Sequence, residues 1–374
     1  MADFTSSLYL GLDHSSRALR HWARLTTGKP AVLQAPPREP EVGDALARLQ
    51  GCEAALLGPS TLHLFWDLLG ALAREPAAVL IDADTYPIAR WGAERLVGRG
   101  TPVLDFRHRD ADQLARQAAR VRADGRRPLV IADGLCPGCG RPLPLTDYLA
   151  IVDRLGGWLI LDDTQALGLL GSTPSATRPF GYGGGGSLRW HGIDEHPRVL
   201  LICSLAKGFG APLAALSGPA RAIDRFAAVS ETRLHCSAPS AAVIEAARHA
   251  LAINACHGEN LRSRLLGNLR RLGSGLRRLG LQLRGGWFPV QTLMPGAGLQ
   301  LDRLHDALLG QGIATLLHPA RRGSPARMSF ILSARHRPGD IDDAIAAIAD
   351  LTDHRDPDDS QTEKPRAAFL SVYS

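Results

Sequence analysis

The sequence predicts an α/β protein: a large domain with a mostly parallel central sheet, followed by a smaller C-terminal α+β domain. Between residues 50 and 220, short continuous apolar runs alternate with stretches of helical spacing. Such runs are typical of strands that are buried on both faces of a parallel sheet. After residue 240 the pattern changes to long helices and then shorter strands, which predicts a second domain.

We expect four segments from this change of pattern. They are an N-terminal segment at 1–45 that packs with the small domain, a large domain at 46–240, a small domain at 241–352 and a polar tail at 353–374.

The predicted strands of the large domain follow one another along the chain. Their sequences are AALLG, AAVLIDAD, TPVLDF, RPLVIADG, WLILDD, RVLLICSL and PLAALSG. Several end in a polar residue: Asp82, Asp133, Asp162 and Ser204 among them. Ligands of α/β proteins bind outside the carboxyl ends of parallel strands, so these ends are candidate site positions. The segment FGYGGGGSLRW at 180–190, which lies between two of these strands, predicts a flexible loop.

The second domain begins with a stretch that predicts one or two long helices. Leucines recur there at intervals of four and three, which gives one apolar stripe along a helix. The pieces LQLRG, VQTLM, ATLLHP and ARMSFILSA that follow are strand-like.

Composition restricts the classes of function. The chain has 374 residues, of which 45% are hydrophobic, and carries a formal net charge of +6. Its arginines are scattered and its aromatic content is only 5%, which disfavours nucleic acid as a partner. We expect no membrane segment, because no apolar run approaches the length of a spanning helix. Six widely spaced cysteines and an opening without a signal-peptide pattern favour the cytoplasm.

A pair of cysteines stands in CPGCG at 136–140. A single C-x-x-C without a second pair at zinc spacing is interpreted as a Pro-Gly turn that carries two thiols. We therefore predict no metal site.

Lys207 is the first candidate for chemistry. The chain has 43 lysines and arginines, but the only lysines are Lys29, Lys207 and Lys364. Lysine, unlike arginine, loses its proton when desolvated and then attacks a carbonyl. Lys207 directly follows the strand RVLLICSL and precedes a glycine-rich turn.

The residues around Lys207 in the predicted sheet fit the needs of pyridoxal phosphate. That cofactor needs an imine lysine, a carboxylate at the pyridine nitrogen, a flat group over the ring and a phosphate site at a helix start. Lys207 is the candidate for the imine, Asp162 for the pyridine nitrogen and Tyr86 for the place over the ring. The candidates for binding the phosphate are Ser60, Thr61 and Ser204, and Gln165 is the candidate for a contact with the ring oxygen.

Four segments carry a resemblance to a known family. FTSSLYLGL at 4–12, WLILDDTQALGLLG at 158–171, SLAKGFG around Lys207 and ARMSFILSARH at 326–336 stand in the family's order. With them the chain resembles the α-oxoamine synthases, which are fold-type I pyridoxal phosphate-dependent transferases. The family includes 8-amino-7-oxononanoate synthase, 2-amino-3-ketobutyrate CoA ligase, 5-aminolevulinate synthase and serine palmitoyltransferase.

The resemblance implies roles at matching positions. Lys207 falls on the imine lysine, Asp162 on the pyridinium partner and Ser204 on a phosphate hydroxyl. Ser237 lies near the place where a neighbouring subunit reaches the phosphate in the family's dimers, which implies a homodimer.

Three positions depart from the family. Tyr86 and Gln165 stand where the family has histidines, one over the ring and one near the ring oxygen. Ser329 stands at the usual arginine for the substrate carboxylate, and Arg327 is the nearby candidate for that contact.

The resemblance implies a reaction between an amino acid and an acyl thioester. The amino acid displaces Lys207 to form an external aldimine, and its Cα carbanion condenses with acyl-CoA or an acyl carrier protein. An aminotransferase or lyase that uses no thioester is the first alternative. A scaffold subunit that keeps the fold without turnover is the second.

Overall fold

The computed structural model describes residues 1–294, 299–320 and 325–353. The polar tail predicted at 353–374 lies outside these residues except for its first position. Contacts divide the chain into two compact units. The larger is Leu8–Ser263, and the smaller joins Met1–Ser7 to the described residues from Arg264 onward. The domain limits at 45, 240 and 352 stay a prediction.

The described residues form strands and helices that alternate through the larger unit. The strands are β1 (Ala2–Asp3), β2 (Ala54–Gly58), β3 (Ala77–Asp82), β4 (Val103–Phe106), β5 (Arg127–Asp133), β6 (Trp158–Asp162), β7 (Val199–Ser204), β8 (Ala214–Gly218), β9 (Leu283–Arg284), β10 (Val290–Leu293), β11 (Ile313–Ala314), β12 (Leu316–His318) and β13 (Arg327–Ile331). The α-helices are α1 (Glu39–Gln50), α2 (Thr61–Leu72), α3 (Pro87–Glu94), α4 (Ala111–Ala123), α5 (Leu145–Leu155), α6 (Ser187–Trp190), α7 (Ala220–Val229), α8 (Glu231–His235), α9 (Ala241–Arg278), α10 (Leu301–Gly310) and α11 (Pro338–Asp353). Short 3-10 helices lie at Ser16–Ala18 and Val97–Arg99.

The larger unit is built on a sheet of seven described strands in the order β2-β8-β7-β6-β5-β3-β4. The pairs from β4 through β7 are parallel, and β8 is antiparallel to both of its neighbours. The prediction of a mostly parallel central sheet is confirmed.

Alternate side chains of the central strands enter two separate hydrophobic cores. Val79 and Ile131 lie in one cluster, whereas Leu80 and Val130 lie in the other. Successive side chains of a strand point to opposite faces, so both faces of this sheet are covered. Burial on both faces explains why the strands are continuous apolar runs in the sequence.

The glycine segment at 180–186 is packed rather than flexible. Gly168 N donates to Gly184 O at 2.8 Å, and Gly186 N donates to Leu170 O at 2.7 Å. A Cβ on Gly171 would lie 1.7 Å from the carbonyl oxygen of Tyr182. The glycines therefore serve close backbone approach, which the sequence alone does not distinguish from mobility.

The smaller unit contains an antiparallel sheet of described strands in the order β12-β13-β10-β9 and a parallel pair of β1 with β11. Phe4 lies at its centre, stacked on His336 with 4.5 Å between ring centroids and edge-on to Phe330. The helix α9 is continuous where the sequence allows one or two helices, and the division between the units falls within it. Among the described residues, no helix has both the length and the apolar character that crossing a membrane requires.

Candidate active site

Parallel strands bring polar side chains to one edge of the central sheet. Asp133 ends β5, Asp162 ends β6 and Ser204 ends β7. Asp133 and Asp162 are direct register partners on adjacent strands. Two carboxyl groups and a hydroxyl therefore share the carboxyl edge of the sheet, where ligands of this fold class bind.

A cavity of about 180 Å³ opens at this edge. Its lining residues come from five strand ends or helix starts of the larger unit. They are Thr61, Tyr86, Ile88, Asp133, Pro137, Asp162, Thr164, Gln165, Ser204 and Lys207. Six of the eight residues predicted for cofactor binding line it, and the other two are Ser60 and Ser237.

Lys207 lies in the turn after β7, and its side chain reaches the cavity. Burial lowers the pKa of its amine, while the negative charges of Asp162 and Asp133 act in the opposite direction. The turn has a strict glycine requirement, because Gly210 has φ of 62° and a Cβ there would lie 1.8 Å from the carbonyl of Leu12. The amine is therefore held at a fixed place and shifted toward its neutral, nucleophilic form.

The two adjacent aspartates after β6 face different surroundings. Asp162 lines the cavity and accepts a hydrogen bond from Thr164 N at 3.0 Å. Asp163 is fully buried and accepts instead from Ser187 N at 3.1 Å and from the Ser187 hydroxyl. Asp162 is thus the carboxyl group of the pair that a ligand in the cavity meets.

Burial raises the pKa of both carboxyl groups at the cavity. At Asp162 the hydrogen bonds from Thr164 and the charge of Lys207 oppose the effect of burial. At Asp133 the charge of Asp162 adds to burial, and the pKa lies well above its ordinary value. The protonation states of Asp162, Asp133 and Lys207 therefore depend on one another.

Asp133 was missed as a site residue from the sequence. Its Oδ1 accepts from Tyr86 N at 3.3 Å, whereas its Oδ2 has no hydrogen-bond partner among the described residues. A buried carboxyl oxygen without a partner is costly, and a donor from a ligand in the cavity would satisfy it. The available signal was its place at the end of a buried strand beside Asp162. Thr164, which was also missed, connects Asp162 to Ser204, whose N donates to Thr164 Oγ1 at 2.9 Å.

Tyr86 and Gln165 both line the cavity, and their places over the cofactor ring and near its ring oxygen stay predictions. Tyr86 precedes Pro87, which starts α3, and the Lys207 amine lies 5.5 Å from the centre of its ring. Gln165 Oε1 accepts the hydroxyl hydrogen of Tyr9 at 2.6 Å. This bond fixes the amide so that its NH₂ group remains the donor for a ligand oxygen.

The start of α2 also reaches the cavity. Ser60 is the N-cap, with an extended backbone and a side chain that accepts from His63 N, and Thr61 lines the cavity. The free N–H groups of a helix start attract anions, and a serine cap sets their direction.

The remaining two predicted residues lie elsewhere. Ser237 is exposed and pairs with Pro30 in an isolated bridge. Arg327 starts β13 in the smaller unit and is exposed, and Ser329 is buried with its hydroxyl 2.9 Å from that of Thr292. The roles of Ser237 and Arg327 stay predictions.

Comparison with known proteins shows the family of this chain. The sequence profile described as "Aminotransferase class I and II" matches residues 2–348. The chain belongs to this family. Within the aminotransferase class I and II family it is similar to 8-amino-7-oxononanoate synthase of Alkalilimnicola ehrlichii, with 30% identity over 361 residues that cover 93% of this chain and 87% of that one.

Solved structures agree on the fold. A variant of serine palmitoyltransferase from S. paucimobilis, solved with a bound PLP–myriocin aldimine, has a TM-score of 0.79 at 18% identity, and the match covers 94% of this chain and 87% of that one. The 8-amino-7-oxononanoate synthase of Francisella tularensis has a TM-score of 0.69 at 18% identity, with 95% and 98% covered. The resemblance to the α-oxoamine synthases and the fold-type I architecture are confirmed.

Proposed function

We propose that this protein is a pyridoxal phosphate-dependent transferase of the α-oxoamine synthase type, which condenses an amino acid with an acyl thioester. The observation that carries the proposal is the buried Lys207 amine beside Asp162 and Asp133 in one cavity. Relatives named 8-amino-7-oxononanoate synthase over almost the whole chain support the reaction class.

The residues of the cavity fit pyridoxal phosphate. Lys207 supplies the amine for its aldehyde, and Asp162 supplies a carboxylate for its pyridine nitrogen. Thr61 and Ser204 supply hydroxyl groups for its phosphate, together with the N–H groups at the start of α2. The buried Asp133 oxygen without a partner among the described residues points to a ligand donor at this place.

Each side chain of the cavity has a distinct task in the reaction. When bound, pyridoxal phosphate supplies a ring that withdraws electrons from the amino acid. The Asp162 carboxylate would stabilise positive charge on the pyridine ring, and Tyr86 would contribute an aromatic surface to the same cavity. Burial lowers the pKa of the Lys207 amine and so favours its neutral form, which would take or return a proton at the substrate Cα.

Atoms balance in the proposed condensation. The amino acid loses a proton or CO₂ from Cα, and the electron pair left there would form a carbon–carbon bond to the acyl carbon. The carbon–sulfur bond of the thioester would break, and the departing thiolate would take up a proton to become a thiol. We propose acyl-CoA or an acyl carrier protein as the acyl donor, which the chain's excess of arginine supports. Arg327 is the proposed contact for the substrate carboxylate.

The lysine is tested by reduction and substitution. Borohydride treatment of the holoenzyme should attach the cofactor covalently to the peptide that contains Lys207. Lys207→Ala should lower kcat by at least about 1,000-fold, the scale seen when a residue that acts covalently is removed. Lys29→Ala, which changes an exposed lysine, is the matched control and should keep full activity. Attachment at another lysine would overturn the assignment.

The reaction class is tested with labelled acyl-CoA and a panel of amino acids. We expect an α-amino ketone and free CoA, formed only when both substrates are present. Release of a keto acid without any thioester would instead identify an aminotransferase. Cofactor binding without either product would identify a protein that has lost turnover.

We further propose a homodimer in the cytoplasm. Apolar side chains are exposed beside Ser237, notably Leu33 at 70% and Leu234 at 53%. They belong to one surface, because Val32 N donates to Arg233 O at 3.0 Å and Pro30 pairs with Ser237. Exposed apolar patches support a protein interface. All six cysteines lie in the described residues and are free, which supports a reducing compartment.

A further inference from the structure

A cluster of metal-binding side chains lies beside the active-site cavity. His108, which follows β4, meets Cys136 and Cys139 from the loop after β5. One ligand atom from each of the three lies within 4.8 Å of the others. The His108 Nε2 atom is 3.4 Å from Cys139 Sγ. His108 lies 31 residues before Cys139 in the sequence, and the parallel pairing of β4 and β5 with the strand between them, β3, brings the two segments together.

The ring of His108 is held in one orientation by Asp82. The Asp82 Oδ1 atom lies 2.8 Å from His108 Nδ1, and its Oδ2 accepts from Arg109 N at 3.0 Å. In the tautomer whose Nδ1 carries the ring hydrogen, the ring donates to Asp82, and Nε2 keeps a lone pair for a metal ion. A carboxylate behind a histidine is the usual arrangement at protein metal sites.

Backbone hydrogen bonds within the loop after β5 position the two cysteines. Cys139 N lies 3.4 Å from Cys136 Sγ and donates to it, and Gly140 N donates to Cys136 O at 2.8 Å. Hydrogen bonds from backbone N–H groups stabilise a thiolate that binds a metal.

We propose that His108, Cys136 and Cys139 bind a zinc ion. Zinc takes sulfur ligands at about 2.3 Å and imidazole nitrogen at about 2.0 Å, so tetrahedral ligand atoms lie about 3.5–3.8 Å apart. The observed separation of 3.4 Å between nitrogen and sulfur is close to that value. Three electron-pair donors that converge on one point match a cation better than a disulfide, which would use both sulfurs and leave Nε2 without a partner.

A further carboxylate lies near the proposed site. Asp84 Oδ2 is 3.9 Å from His108 Nε2, and the Asp84 side chain is exposed. Either this carboxylate or water completes the four ligands that zinc takes.

The site acts on the active site through Pro137. This residue lies between the two cysteines and lines the cavity that contains Lys207. A metal bound by Cys136 and Cys139 fixes the Pro-Gly turn and therefore one wall of that cavity. The zinc is thus a positioning element for the cavity and takes no part in bond making.

The proposal is tested by metal analysis of the tag-free holoenzyme from zinc-supplemented cells. We expect one zinc ion per chain, with two sulfur neighbours and at least one nitrogen neighbour in X-ray absorption spectra. Cys136→Ser, Cys139→Ser and His108→Asn should each abolish stoichiometric zinc. Cys256→Ser, which changes an exposed cysteine, is the matched control and should keep it.

A second measurement removes any dependence on how the variants fold. Wild-type protein is stripped with a chelator, reduced, and titrated with Zn²⁺ against a chromophoric competitor, which should show one tight site. Failure of the reduced wild-type protein to take up Zn²⁺ would overturn the proposal, as would equal zinc in Cys139→Ser. A Cys136–Cys139 disulfide in metal-free protein that binds no Zn²⁺ after reduction would identify a redox pair instead. None of these results depends on the transferase reaction.

Discussion

At the scale of single residues, the site depends on which aspartate of an adjacent pair faces the cavity. Asp162 lines the cavity, whereas Asp163 points away from it and binds Ser187. The alternation of side chains along a strand separates two neighbours with the same chemistry. Their substitutions should therefore affect different properties of the protein.

Asp162→Asn should lower kcat by at least about 100-fold, because an amide cannot stabilise the charge that a carboxylate does. Asp163→Asn is the matched control. Under conditions in which this variant is folded, we expect its kcat to lie within a few-fold of the wild-type value. Steady-state kinetics on holoenzyme of both variants checks this. An equal loss of kcat in folded Asp163→Asn would contradict the assignment of the pair.

The sequence predicts part of this site, and its limit has a physical cause. Lys207 and Asp162 can be predicted because Asp162 ends a buried strand and Lys207 lies in the turn after the next one, and the ends of parallel strands meet at one edge of the sheet. Asp133 follows the same rule, but only the strand order shows that β5 lies next to β6. The cluster of His108 with the two cysteines is invisible for the same reason, because spacing along the chain says nothing about partners on another strand.

At the scale of elements, the glycine segment at 180–186 packs against the stretch that follows β6, where it bonds to Gly168 and Leu170. Gly171→Ala should lower the free energy of unfolding by about 3 kcal/mol or more, since backbone would have to move to admit the methyl group. The reason is the carbonyl of Tyr182, which lies 1.7 Å from the position of the new Cβ. Denaturant titration followed by circular dichroism measures the change.

Gly267→Ala provides the control for that experiment. Gly267 lies in α9, and nothing lies within 4 Å of a Cβ placed there. Alanine in a helix interior is favoured over glycine by up to about 1 kcal/mol, so this variant should be slightly more stable. Equal effects of the two substitutions would show that close packing at Gly171 is not the cause.

Strands of this protein are easier to predict than its loops. A strand that is buried on both faces is apolar throughout, and the runs in the sequence correspond to β2–β8. A glycine run is ambiguous, because glycine serves both mobility and close approach. The continuity of α9 was also open, since its apolar stripe does not show whether the helix stops near residue 260.

At the scale of the whole molecule, buried acids make stability depend on pH. Burial raises the pKa of Asp163 to about 6 in the folded protein, from the ordinary aspartate value of 3.8. Between these values the folded state binds more protons than the unfolded chain, so the contribution of Asp163 is full at lower pH. As the pH rises from about 4 to about 6, the free energy of unfolding falls by roughly 3 kcal/mol because this contribution is lost.

Asp163→Asn should therefore flatten the decline in unfolding free energy over this pH interval. Denaturant titrations at several pH values compare it with wild type and with Asp44→Asn, which changes an exposed aspartate. An unchanged slope in Asp163→Asn would contradict the raised pKa.

The proposed homodimer is also a property at this scale. Leu234→Glu places a charge on the exposed apolar surface beside Ser237 and should weaken the dimer by about 10-fold or more. Leu309→Glu is the control, because Leu309 is similarly exposed at 50% but lies on α10 of the smaller unit. Light scattering over a concentration series measures the mass. A monomeric wild-type protein at all concentrations would refute the proposal.

The order of strands in the central sheet constrains how the chain is made. β2 is the first strand of this sheet to leave the ribosome, yet among the described strands it pairs only with β8, the last strand of the sheet. The nascent chain must therefore carry β2 with its backbone groups unpaired until Gly218 has emerged. Closing so long a loop is slow, and an unpaired apolar strand is prone to aggregation. Chaperone demand during synthesis is thus a direct consequence of the antiparallel edge of this sheet.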